Sequence, residues 1–505
     1  MVVSRTEFFG KNAVNVFETQ NDSQKFSQSI AQMKNLQGDN QPFYVCNLGS
    51  VINSLQQWFS YLPRISPFYS VRCNSDSVLL RLLAAHPNVG LHCLTREDLD
   101  IATEIMPSGR IIYANPCWTR GSLRNAAAAQ VGLITIETMG DFERVLSTFP
   151  QATMLLNVGM SVNHEDPATE LGCTFEDACE ILQKAADFQA NICGISFNIG
   201  SGCKDSTLYS SAIQTCSELF AIAKSYGLKM NVINVGGGFS NASLNKCNDF
   251  ASFVEICNEI NTSLDYYFPV ENFCELRVIA QPGRFFASDA FTLSTCIIGK
   301  QAVDLADISH DDYDSGCQAF SYMINESYYG AFGCQNVPNC DPKCIPLFEN
   351  EADHSSSLQF YGNVIGPSLD EYDIAQSMCH FRELQIGEWL SWPAMGAYSR
   401  NNRATLGDVD IPSPAVYYYC NTDDYECIQR LISLESTTRP KSIASTQLTT
   451  RRSSFALSLL GGSSEDECYG SLSDFSDSFS FTDEHNENTE EEWMARFQFQ
   501  GPIFD

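Results

Sequence analysis

Between about residue 65 and residue 283 the chain alternates short apolar runs with longer stretches whose apolar positions recur at helical spacing. The short runs fall at 68–71, 89–93, 110–113, 133–136, 154–158, 192–197, 230–235 and 277–280. Runs this short, rich in β-branched residues and lacking polar alternation, predict strands buried on both faces. The stretches between them, as at 175–189 and 211–226, predict helices. Eight strand–helix units in this span predict a closed parallel (β/α)8 TIM barrel, and an open doubly wound sheet satisfies the same alternation.

Past Gly283 the pattern changes to alternating, aromatic-rich runs at 287–298, 319–324, 358–364, 388–392 and 415–420, separated by Gly, Pro, Asn and Asp. Such runs predict a second, mostly antiparallel β domain. The division expected is therefore an N-terminal segment 1–42 packing on the β domain, a barrel over 43–283, a β domain over 284–432 and a low-complexity tail over 433–505. In that tail, residues 439–454 are basic and rich in Ser and Thr. Eleven acidic residues then lie between Ser463 and Ala495, a span without Lys or Arg. A segment of this composition buries too little apolar surface to order itself, so a disordered acidic tail is expected. Its serines are candidate phosphorylation sites.

A chain of 505 residues with 44% hydrophobic content forms a substantial core. Its net charge of −31 argues against nucleic acid and anionic membrane surfaces as partners. The 21 cysteines are scattered, the first residues show no apolar leader pattern, and no window reads as a membrane span. Reduced thiols and a cytoplasmic location are expected. Cys334, Cys340 and Cys344 cluster beside Pro338 and Pro342, but they lack tight Cys-x-x-Cys pairing and a fourth ligand. Free thiols on a surface loop are expected there, and no metal. The triplet Gly236-Gly237-Gly238 follows a predicted strand, so bare backbone amides can face an anion. Read alone, a tight strand-to-helix turn is the simpler account.

The stretch Pro67-Phe68-Tyr69-Ser70-Val71-Arg72-Cys73-Asn74-Ser75 is the most telling. With Ile112–Cys117, Gly194–Lys204, Asn234–Phe239, Gln281-Pro282-Gly283-Arg284, Asn325–Gly330, Gly366-Pro367-Ser368, Ile386–Trp389 and Met395–Tyr398, it resembles the eukaryotic ornithine decarboxylase family. That family holds pyridoxal phosphate and includes the catalytically dead antizyme inhibitors. The resemblance runs from Phe43 to about Cys420 and implies a barrel followed by a β domain, with the site between them. It also implies a phosphate cup of Ser201, Gly236, Gly237, Gly238, Gly283, Arg284 and Tyr398. The chemical half of the site departs from the family. Arg72 stands at the Schiff-base lysine, and a guanidinium offers no free amine nucleophile. Gln281 replaces the glutamate that keeps the pyridinium nitrogen protonated. Asn198 replaces the stacking histidine, His92 an aspartate and Asn157 an arginine. Cys379 and Asp370 match the family's proton-donating cysteine and an acidic substrate contact. A vestigial cup is expected to hold phosphate or pyridoxal phosphate noncovalently at most.

The resemblance implies three functions. In the first, the chain is a pseudoenzyme that binds antizyme, the protein that captures ornithine decarboxylase for degradation, and so promotes polyamine biosynthesis. Trp118, Arg120, Arg124 and Arg144 would then present the partner face, although the lysines expected there are absent. In the second, it is a decarboxylase with altered chemistry. Lys184, Lys204 and Lys229 are the barrel lysines to consider, and all fall on helical or loop stretches. In the third, it binds a phosphometabolite or pairs with itself or an active homologue as a dimer, with Leu406 at an expected interface phenylalanine.

Overall fold

The computed structural model describes residues 5–18, 22–160, 172–200, 202–239, 251–348, 358–368, 370–400 and 413–438. The expectations for Ser201 and Leu406 lie outside the described residues; of the tail expected over 433–505, residues 433–438 instead end the helix Thr422–Thr438, because the helical backbone runs on past the β domain, and residues 439–505 lie outside the described residues.

The chain opens with a hairpin, β1 (Arg5–Phe9) and β2 (Asn12–Phe17), then helix α1 (Ser23–Gln37) and strand β3 (Phe43–Asn47). Eight parallel strands follow: β4 (Ile65–Ser70), β5 (Gly90–Cys93), β6 (Ile111–Tyr113), β7 (Leu133–Ile136), β8 (Met154–Val158), β9 (Ile192–Phe197), β10 (Val232–Asn234) and β11 (Arg277–Ala280). They close into a barrel in this order, β11 pairing with β4. Each overlaps one of the eight apolar runs, which decides for the barrel over the open sheet. The barrel interior is filled by one inward residue from each of seven strands: Phe68, Ile112, Leu133, Leu155, Cys193, Val232 and Ile279. It is a packed core and leaves chemistry to the strand ends.

Helix starts on the outer ring follow from their capping residues. Thr95, Thr119, Thr138 and Ser252 each accept from the third residue of the helix they open, with Asp98, Ser122, Asp141 and Glu255 reaching back. These reciprocal bonds satisfy amides that have no partner within the helix. Trp58, fully buried on the helix Leu48–Tyr61, packs against Phe239, Phe253, Phe285 and Phe286. This cluster backs the loop that follows β10.

The second sheet is mostly antiparallel and contains β12 (Phe291–Asp304), β13 (Gln318–Ile324), β14 (Ile345–Pro346), β15 (Gln359–Ile365), β16 (Ile374–Arg382), β17 (Trp389–Trp392) and β18 (Ala415–Asn421). Its order is β1-β2-β18-β3-β12-β13-β15-β16, with β17 joining β12 to β14. Strand β3, which the sequence reading counted into the barrel from residue 43, lies here between β18 and β12. Phe43, Tyr44, Val45 and Cys46 are all fully buried, so the apolar run has the same pattern as a barrel strand. Phe17, Phe26 and Ile30 pack with Phe43, Trp389 and Tyr419, which fixes the N-terminal helix onto this sheet.

Candidate functional site

A cavity of about 170 Å³ opens at the C-terminal ends of the barrel strands. Ser70 ends β4, His92 lies in β5, Asn198 follows β9, Gly237 and Gly238 follow β10, and Gln281 and Gly283 follow β11. Arg284 and Tyr398 complete the wall, the latter from the β domain. Strand ends at this face are where barrels carry binding chemistry.

The glycine turn is built by its neighbours. Buried Asn234 accepts from the Gly236 amide at 3.1 Å and donates to Ser196 Oγ at 3.0 Å. Gly236 and Gly238 have φ of 70° and 93°, the left-handed region. A Cβ on Gly236 would lie 2.2 Å from the Phe197 carbonyl, and one on Gly238 2.7 Å from the Tyr209 hydroxyl. The turn therefore requires glycine at both positions irrespective of any ligand. Its carbonyls are also engaged: Gln281 N–H donates to Gly236 O, Tyr209 Oη to Gly237 O and Cys203 N–H to Gly238 O. The amides of Gly237 and Gly238 donate to no acceptor among the described residues, so the turn offers an anion site as well as a chain reversal.

Arg284 is buried. Its terminal nitrogens donate to the carbonyls of Pro338 at 2.5 Å and Asn339 at 3.3 Å. Its Nε has no acceptor among the described residues. The guanidinium lies 5.5 Å from the Tyr398 ring centroid. Tyr398, at φ 61°, is anchored by its amide donating to the Cys73 carbonyl at 2.7 Å, and burial pushes its phenol up to about 12. Gly283 is forced by close approach, since a Cβ would lie 2.9 Å from that of Cys73.

The rest of the wall is neutral. Burial pushes the His92 imidazole down to about 4, so it is uncharged at pH 7, and its buried Nδ1 has no partner among the described residues. Asn198 accepts from the Gly200 amide at 3.3 Å, and Gln281 presents an amide. No carboxylate and no lysine is among the lining residues described. Arg72 follows β4 in a turn closed by the Cys73 amide donating to Ser70 O. It is exposed at the rim, where its charge reaches Tyr398.

A family model described as the pyridoxal-dependent decarboxylase pyridoxal binding domain matches residues 48–288. Ornithine decarboxylase of Caenorhabditis elegans is 32% identical, over 85% of this chain and 99% of that protein. Antizyme inhibitor 2 of Xenopus laevis is 30% identical, over 72% of this chain and 77% of that protein. The chain belongs to the ornithine decarboxylase family. A solved arginine decarboxylase of Paramecium bursaria Chlorella virus, bound to agmatine, superposes with a TM-score of 0.67 at 24% identity. It covers 78% of this chain and 99% of that one, and at this identity it shows the shared fold.

Against the family's pyridoxal phosphate the residues present fit one end. The open amides of Gly237 and Gly238 and the orphaned Arg284 Nε suit a phosphate. Nothing described in the wall offers an amine to the carbonyl end or a carboxylate to the ring nitrogen. The group would supply electron-withdrawing chemistry when bound covalently, and none of the described lining residues would fasten or charge it.

Several expected positions lie elsewhere. Cys379 is buried in β16, 5% exposed, and burial pushes its thiol up to about 12. It is not among the lining residues of this cavity. Asp370 accepts from the Tyr329 hydroxyl at 2.6 Å and is not among the lining residues. Asn157 donates to Glu137 at 2.8 Å, also outside the lining. Trp118, expected as an exposed anchor, is 3% exposed, packs edge-on against Tyr113 and donates its indole N–H to Thr135 O. An indole needs an acceptor when buried, and the strand end provides one. Arg120, Arg124 and Arg144 are exposed, Arg144 donating to Trp118 O and pairing with Asp141. Cys334 and Cys344 are buried and Cys340 is half-buried, so these thiols do not sit on a surface loop.

The sequence reading did not single out Tyr209, Ser70 or Phe239 as site residues. It used Asn234 only as part of a motif. An Asn two residues before a glycine that needs φ above zero is itself a turn signal. Tyr209 gave no local signal, because its role depends on helix Thr207–Ser225 lying beneath the glycine turn.

Proposed function

We propose that this protein is a non-catalytic member of the ornithine decarboxylase family that acts as an antizyme-inhibitor-like positive regulator of polyamine synthesis. The observation that carries this reading is the cavity wall, which holds one buried guanidinium and no described carboxylate or lysine. Decarboxylation through pyridoxal phosphate needs an amine to fasten the cofactor and an electron sink to accept the developing carbanion. The relative named antizyme inhibitor 2 in Xenopus laevis supports antizyme as the partner, and exposed Arg120 and Arg124 are the residues we assign to the contact.

The test is a rescue assay: active ornithine decarboxylase held inhibited by its antizyme, titrated with the full-length protein. A parallel sample holds this protein alone with ornithine and pyridoxal phosphate. Restored activity in the first sample and no carbon dioxide in the second is the expected result. Failure to restore activity would overturn the partner assignment, and turnover by the protein alone would overturn the loss of catalysis.

A second reading is supported by the unpartnered Arg284 Nε and the open glycine amides. In it the cup holds a phosphorylated small molecule noncovalently. Equilibrium dialysis of the purified protein against pyridoxal phosphate, followed by borohydride, tests it: expected is bound cofactor that borohydride does not fix to the chain.

A further inference from the structure

One step above the apolar core of the barrel lies a layer of neutral polar side chains. Phe68, Ile112, Leu133, Leu155, Val232 and Ile279 point into that core. A Cβ on Gly90 would lie 2.3 Å from the Phe68 ring, so Gly90 faces the same interior. Residues two apart on a strand share a face. Ser70, His92 and Gln281 therefore stand one step beyond Phe68, Gly90 and Ile279, and all three line the cavity. Thr135, Asn157 and Asn234 take the same step on β7, β8 and β10, with the small Ala114 just past β6. None of these residues is an acid, a lysine or an arginine.

The members that line the cavity share one chemistry. Gln281 and the neighbouring Asn198 carry amides and Ser70 a hydroxyl, each able both to donate and to accept. His92 is 6% exposed and held neutral by burial, and a neutral imidazole likewise has one donor and one acceptor. Its Nδ1 has no partner among the described residues. A buried polar atom left unpaired is costly, so this wall favours an occupant that brings hydrogen bonds to it.

The same wall discriminates against other occupants. An ammonium or pyridinium at this level would need a carboxylate, and none is among the described lining residues. An apolar body would leave the amides, the hydroxyl and the imidazole without partners. Hydroxyl groups, which donate and accept at once, match all of them. The cavity's 170 Å³ is the space of roughly six waters at ~30 Å³ each, which suits a small polyol carrying one phosphate. The charged end is already separate, since Arg284, Gly237 and Gly238 line the same cavity.

We propose that this cavity takes a small phosphomonoester with an uncharged, hydroxylated body, of the polyol or sugar phosphate class. The phosphate meets the glycine turn and Arg284, and the hydroxyls meet Ser70, His92, Asn198 and Gln281. The proposal rests on the reading of the cup as a noncovalent phosphate site, and it names what the ligand carries at its other end.

The experiment is calorimetric titration of the full-length protein with inorganic phosphate, glycerol phosphate, n-propyl phosphate and pyridoxal phosphate. Glycerol phosphate and n-propyl phosphate share the phosphate and the chain length and differ in the hydroxyls. Glycerol phosphate is expected to bind roughly tenfold or more tightly than n-propyl phosphate, because a site built for hydroxyls rejects an analogue without them. It is also expected to bind more tightly than pyridoxal phosphate. Equal affinity for the two esters would overturn the proposal and leave the cup reading standing, since the phosphate would still be held. Binding of none of the probes, inorganic phosphate included, would overturn the cup reading and the proposal with it. Tighter binding of pyridoxal phosphate would overturn the proposal in favour of the family's own ligand. Gln281→Met keeps the side-chain length and removes the amide, and in it the ratio of the two ester affinities is expected to fall toward one. The ratio is read because any loss of folded protein lowers both affinities together, and an unchanged ratio would overturn the assignment of hydroxyls to this wall.

Discussion

The Tyr209 hydroxyl donates to the Gly237 carbonyl at 2.6 Å, and that hydroxyl occupies the space a Cβ on Gly238 would need. A fully buried side chain on a barrel helix thereby sets which way the peptide after Gly237 faces. With the carbonyl drawn toward the helix, the amide of the same peptide unit turns toward the cavity. Removing the hydroxyl while keeping the ring, as in Tyr209→Phe, deletes one neutral hydrogen bond at a cost of about 1 kcal/mol. Affinity for inorganic phosphate or pyridoxal phosphate is expected to fall roughly fivefold. Calorimetric titration of the two proteins checks this, and an unchanged affinity would mean the turn keeps its shape without Tyr209.

What was legible in the sequence follows from how each element meets the core. Barrel strands are covered on both faces, so they read as uninterrupted apolar runs, and each of the eight runs coincides with a strand. Strand β16 escaped notice because one face is wet: buried Gln376 and exposed His380 break the pattern. Strand β3 was legible as a strand but not as to its sheet, since burial on both faces looks alike in either domain. The glycine and arginine half of the site could be read because backbone approach and anion pairing restrict residue type. The clamp on Arg284 could not, because carbonyls are its acceptors and any residue supplies a carbonyl. Trp118 was misplaced because an aromatic residue beside arginines has the same composition as an interface anchor. Its acceptor, Thr135 O, lies on a neighbouring strand.

His92 makes stability depend on pH in a defined window. Its imidazole ionises at about 4 in the folded protein, pushed down by burial alone from the 6.5 of a solvated histidine in the unfolded chain. Above pH 6.5 neither state is protonated there and its contribution is at its maximum. As pH falls below 6.5 the unfolded chain takes up a proton that the folded one refuses, and stability is lost down to about pH 4. Between pH 7 and pH 5 the loss from this one group is about 2 kcal/mol. His86, stacked on Phe59 and also pushed down to about 4, adds in the same direction but is only partly buried. Denaturant unfolding at the two pH values is expected to show the drop, and His92→Asn to remove a large part of it. A His92 imidazole titrating near 6.5 by NMR would contradict this account.

Restoring the missing amine alone is not expected to restore catalysis. Arg72→Lys supplies an amine at the position the resemblance assigns to the Schiff-base lysine, but Gln281 and Asn198 stay neutral amides and no described carboxylate enters the cavity wall. Without a carboxylate the ring nitrogen is not held protonated, and the electron sink stays weak. Carbon dioxide release from ornithine by Arg72→Lys should remain at background, whereas Arg72→Lys/Asn198→His/Gln281→Glu should exceed it. Turnover by the single variant would show that the lysine position is sufficient, and that the amide substitutions carry no weight.

The proposed partner face divides into residues that would build it and residues that would present it. Trp118 belongs to the first kind: its ring packs on Tyr113 and its indole N–H is bonded within the barrel wall. Trp118→Ala should cost about 3–5 kcal/mol of stability through the cavity it leaves, so any loss of antizyme rescue by that variant reports unfolding. Arg120 and Arg124 are the second kind, one turn apart and exposed on helix Arg120–Ala129. Reversing both, Arg120→Glu/Arg124→Glu, should change stability by no more than about 0.5 kcal/mol for each exposed position. The same change places two negative charges where an acidic partner would dock, and like-charge contact opposes binding. Thermal unfolding indistinguishable from the parent, together with loss of rescue in the antizyme assay, is the expected pair of results. Full rescue by the double variant would move the contact off this helix.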